Sequence, residues 1–79
     1  MSSLLTLKEH RIIALVADGL RNSDIAKVIG TTENVVKNYL RTIFDKTGTW
    51  TRLELALWHV RNGDPLLFEP NVGYPARLN

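Results

Sequence analysis

Four polar residues, Asn34, Lys37, Asn38 and Arg41, stand three and four positions apart. On an α-helix that spacing sets all four on one side, turn above turn. Two amides and two cations on a common face suit the edges of base pairs. Lys and Arg donate to guanine O6 and N7, and an Asn amide bridges adenine N6 and N7. Either cation can instead hold a phosphate, which positions a protein on a duplex without reading it. Ordinary solvated helix faces also carry two cations. The neighbouring elements decide between the two readings.

The segment carries the marks of a helix. Val36, Tyr39/Leu40, Ile43, Phe44 and Thr47 recur at helical spacing on the other side. Thr32 can cap the start, Glu33 sits near the positive end, and Gly48 stops the run. A helix over 33–46 is predicted, with its apolar side inward. Just before it, Asn22 or Ser23 caps a shorter helix over 23–29 that turns Ile25, Ala26, Val28 and Ile29 inward and ends at Gly30. Helix, tight glycine-bearing turn, helix is the helix-turn-helix layout. That context favours the groove-reading face.

Two further helices must hold this pair. Thr6-x-x-Glu9 has capping-box spacing and opens a helix over 7–18, whose Leu7, Ile12, Ile13, Leu15 and Val16 form an apolar face before the Gly19 stop. Thr51-x-x-Glu54 repeats the spacing and opens a helix over 52–61. Its apolar residues split into two nearly opposite stripes: Leu53, Ala56, Leu57 and Val60 on one, Leu55 and Trp58 on the other. One stripe can fill the core, and the other is left for another subunit. Leu53, Leu57, Trp58 and Arg61 are the candidate subunit-contact residues. Asn62-Gly63-Asp64-Pro65 reads as a stop and turn. The expected organisation is an all-α, four-helix helix-turn-helix domain over 1–62 and an extended tail over 63–79. Pro70 and Pro75 exclude a helix of any length in the tail, yet Leu66, Leu67, Phe68, Val72 and Tyr74 make it too apolar for a plain linker. It is expected to dock in extended form, on its own domain or on a neighbour.

The formal net charge of +2 is uninformative until it is divided. Residues 27–52 hold Lys27, Lys37, Arg41, Lys46 and Arg52 against Glu33 and Asp45, while the flanking thirds are neutral or slightly negative. An anionic partner is drawn to the middle. Lys27, Lys46 and Arg52 therefore join the candidate contacts. Hydroxyls at helix starts, Thr31, Thr32 and Thr51, suit backbone phosphates.

Other functions find little support. Seventy-nine residues suffice for one domain. Without Cys there is no thiol chemistry or disulfide framework. No metal-ligand spacing flanks His10 or His59, and the five glycines form no phosphate loop. No enzyme activity, cofactor or metal is expected. Trp50 and Trp58 suit packing or an interface better than base stacking. The longest apolar runs fall well short of the ~20 residues of a membrane span, and Met-Ser-Ser-Leu-Leu lacks the basic start of a signal peptide. A soluble, cytoplasmic protein is expected.

Leu5-Thr6, Glu9, Ala17-x-Gly19, Asn22, Ile25-Ala26, Glu33-x-x-Val36-Lys37, Ile43-Phe44-x-Lys46-x-Gly48 and Arg52-x-Glu54 together resemble the LuxR-type (GerE-like, NarL-like) helix-turn-helix domain. The likeness runs without gaps from about Leu5 to Val60. It implies a four-helix DNA-binding domain in which the last helix commonly dimerises, and it assigns Val35, Lys37, Asn38 and Arg41 to the contacting segment. It also implies a sensory domain upstream in larger members. Four positions depart from the pattern. Val35 stands where Thr is frequent, Tyr39 where His is, Arg11 where Glu is, and Thr47 where a larger apolar residue is usual. Two functions follow as expectations. The first is a duplex-DNA-binding transcription regulator, acting as a homodimer. The alternative is an interaction module that modulates another regulator through its last helix and tail.

Overall fold

The computed structural model describes residues 4–63. Four helices fill most of that span: α1 (Leu7–Ala17), α2 (Asn22–Ile29), α3 (Glu33–Thr47) and α4 (Arg52–Asn62). The predicted bounds agree to within one residue at every end. Beyond Gly63, the expected extended tail lies outside the described residues.

Threonine hydroxyls start three of the helices. Thr6, Thr32 and Thr51 accept hydrogen bonds from the amides of Glu9 (3.1 Å), Val35 (3.3 Å) and Glu54 (3.1 Å). Each satisfies one of the amides a helix start leaves without a partner, worth about 1 kcal/mol. At α1 the box closes, because the Glu9 carboxylate accepts from the Thr6 amide at 2.9 Å. At α4 it does not. Glu54 reaches one residue further and accepts from the Trp50 amide at 2.7 Å. The start of α2 also differs from expectation: Arg21 occupies the cap position with no side-chain cap bond, and Asn22 lies inside the first turn.

Two stops need glycine. Gly30 and Gly48 adopt φ of 78° and 74°, which costs an L side chain roughly 1–2 kcal/mol. The reversed chain then brings the amides of Thr31 and Thr49 onto the carbonyls of Ala26 and Phe44, closing α2 and α3.

Ile12, Ile13 and Val16 of α1, Ile25 and Ala26 of α2, Val36, Leu40 and Ile43 of α3, and Leu55 of α4 form the buried core. Leu5, Leu15, Leu20, Ile29, Tyr39, Phe44 and Trp58 pack around it. α1 lies chiefly against α4, and α2 against α3. A ring contact reinforces the first pairing, with His10 stacked on Trp58 at 6.5 Å between centroids. Leu7 and Val28, expected to face inward, are exposed instead. Leu7 lies in the first turn of α1 and projects beyond the core. On α2, Ile25 and Ala26 already meet α3.

The two stripes of α4 are now told apart. Leu55 is fully buried and Trp58 packs against the core, whereas Leu53, Leu57 and Val60 are 70 %, 48 % and 75 % exposed. Trp58 therefore belongs mainly to the inner stripe. Its ring is partly buried against the core and stacked on His10, which leaves Leu53, Leu57 and Val60 as the outward apolar residues of α4.

Candidate nucleic-acid interface

α3 has a buried side and a wet side. Val36, Leu40 and Ile43 are buried, and Asn34, Lys37, Asn38 and Arg41 are all exposed. At about 100° per residue the exposed four span roughly a third of the helix circumference, centred opposite the core. The Arg41 guanidinium donates to Asn38 Oδ1 at 3.4 Å, a long contact that keeps amide and cation side by side. Val35 is also exposed, at the edge of this face towards α1. Asp45 shares the wet side near the end of the helix. Its carboxylate would repel a polyanion, so the part of this face suited to one is the first two-thirds of α3.

On the flank facing α2 and α4, Asn22, Lys37, Leu40, Arg41, Phe44 and Arg52 line a shallow concavity of about 330 Å³. Three cations at its rim suit a phosphate. Arg52 is held in place, for its guanidinium donates to Asn22 Oδ1 at 2.7 Å and to the Leu20 carbonyl. A guanidinium has five N–H donors, so Arg52 retains donors for an anion while it ties the start of α4 to the α1–α2 loop. This explains why Asn22 does not cap α2. Its carbonyl oxygen is engaged by a residue 30 positions away.

The remaining candidates divide. Lys27 is exposed at the end of α2. Thr32 and Thr51 use an oxygen lone pair as caps and keep a hydroxyl hydrogen that can donate to a phosphate. Lys46 is a correction. Its ammonium lies 2.9 and 3.1 Å from the two oxygens of Glu9 and donates to the Leu4 carbonyl at 3.1 Å. The side chains are only 23 % and 6 % exposed. Burial pushes the Glu9 carboxyl up, but hydrogen bonds from Lys46 and the Thr6 amide outweigh it and hold the group below its ordinary value. Lys46 neutralises an internal carboxylate and is withdrawn from the outward cations.

The sequence from residue 3 to residue 59 matches the family model described as bacterial regulatory proteins, luxR family. The chain belongs to that family. It is a family of regulatory proteins, not of enzymes. Response regulator Rre1 of Synechocystis is 36 % identical over 58 residues, which cover 73 % of this chain and 25 % of that protein. The monoamine regulon transcriptional regulator of Klebsiella aerogenes is 38 % identical over 55 residues, 70 % of this chain and 24 % of the relative. The probable transcriptional regulator ycf29 of Guillardia theta is 35 % identical over 51 residues, 65 % and 24 %. The chain spans about a quarter of the length of these relatives. No solved structure matches it. Among the described residues, no helix of this luxR-family chain is long and apolar enough to cross a membrane.

Proposed function

We propose that this luxR-family chain binds duplex DNA as a sequence-specific transcription regulator, with the first two-thirds of α3 in the major groove. The carrying observation is the face of Asn34, Lys37, Asn38 and Arg41, exposed on a helix whose other side is locked in the core. In this reading Lys37, Asn38 and Arg41 meet base edges, with Asn34 and Val35 beside them. Lys27, Arg52 and the hydroxyls of Thr32 and Thr51 hold phosphates on either side of the turn. The three-cation concavity supplies the attraction that dominates affinity for a polyanion. Relatives named as transcriptional regulators support the same reading.

The outer stripe of α4, Leu53, Leu57 and Val60 with Arg61 beside it, is assigned to homodimerisation, which would set two α3 helices on two half-sites. A signal-receiving domain or partner belongs to the proposal, on the strength of the relative named a response regulator. The same stripe also supports a second reading, in which α4 docks another regulator and DNA is not read. Selection from random duplexes, followed by mobility shifts, separates the two. Enrichment of a motif with affinity that falls steeply as salt rises supports the first. No enrichment, with retention of a protein partner through α4, overturns it.

A further inference from the structure

The concavity lined by Lys37, Arg41 and Arg52 lies on one flank of α3, yet a helix seated in a major groove has a sugar-phosphate strand on each side. The other flank is built by α1. There Glu9, Val35, Asn38, Tyr39 and Thr42 line a second shallow concavity, of about 340 Å³. The Lys8 ammonium stands over the Tyr39 ring, 5.9 Å from its centroid. Tyr39 lines this concavity together with Val35, Asn38 and Thr42, so the ring orients Lys8 towards the α1 flank of the exposed face.

We propose that Lys8 is a phosphate contact on the α1 side of α3, opposite Arg52, so that the two cations straddle the recognition face. This rests on the reading of α3 as a groove-binding helix. Three observations carry it. Lys8 is exposed and forms no ion pair among the described residues, so no carboxylate competes for it. The contact with Tyr39 is at the outer limit of cation–π range, enough to orient the ammonium and too weak to retain it against a phosphate. The nearest carboxylate on α1, Glu9, is neutralised by Lys46 at 2.9 Å and accepts from the Thr6 amide. The anion would therefore meet no uncompensated charge there. Arg11, one turn along α1, is also exposed. It makes the potential beside Lys8 more positive still.

The test measures binding of the full chain to a selected duplex and to an unrelated one across a salt series, for wild type, Lys8→Gln and Lys8→Arg. Losing one phosphate contact flattens the slope of log affinity against log salt by about 0.9. Lys8→Gln is expected to do so equally on both duplexes, and Lys8→Arg to restore the slope. An unchanged slope in Lys8→Gln, or a loss confined to the selected duplex, overturns the assignment while leaving the groove reading intact. Wild type that binds neither duplex overturns the groove reading and this assignment with it.

Discussion

The ammonium of Lys46, near the end of α3, stands 2.9 Å from Glu9 Oε1 in the first turn of α1. Glu9 accepts from the Thr6 amide as well, so one nearly buried carboxylate joins a helix cap to a cation 37 residues away. The link fixes the end of α3 to the start of α1. It follows that Lys46 acts on stability before it acts on any ligand.

Lys46→Met leaves Glu9 buried without its cation. Breaking one side of such a pair costs about 3 kcal/mol. For a domain of this size that lowers Tm by more than about 10 °C. Thermal unfolding followed by circular dichroism checks this. A change below 2 °C would mean the pair contributes nothing.

Acid should act through the same carboxylate. The Glu9 carboxyl is held below its ordinary value of 4.5 in the fold, so its contribution to stability is complete above that value. It is lost as pH falls from about 4.5 through the lower folded value, where the native state must take up a proton. Denaturant midpoints measured from pH 6 down to pH 2 should fall across this window. In Glu9→Gln that part of the fall should be absent, leaving a lower but flatter profile.

The two stripes of α4 should respond in opposite ways. Leu55 is fully buried, so Leu55→Ala should cost about 2–5 kcal/mol through lost burial and a cavity. Leu57→Glu should leave the monomer folded and abolish self-association, since Leu57 is half exposed on the outer stripe. Denaturation and sedimentation velocity together separate the effects. Wild type that stays monomeric at high concentration would remove the dimer assignment.

The sequence was most legible where the signal is local. Thr6, Thr32 and Thr51, with Gly19, Gly30 and Gly48, set the helix bounds because caps and left-handed turns act within a few residues. The apolar period of α3 likewise placed Val36, Leu40 and Ile43 inside and the amide-and-cation face outside. Contacts between distant residues were hidden. Nothing near Lys46 in the chain marks it as the partner of Glu9, and nothing near Asn22 marks it as the acceptor for Arg52. Leu53 and Leu55 are equally apolar in sequence, and only the position of α1 selects Leu55 for the core. Lys8 was passed over because its relation to Tyr39 exists only once α1 lies against α3.

The most direct test is the affinity of Lys37→Ala for a duplex recovered by selection with wild type. Lys37 is exposed on α3 and removed from the core, so the variant should fold normally. If the wet side of α3 enters the major groove, affinity should drop by about 1–3 kcal/mol, with relaxed preference at one base pair. Affinity and base preference equal to wild type would show that DNA meets some other surface.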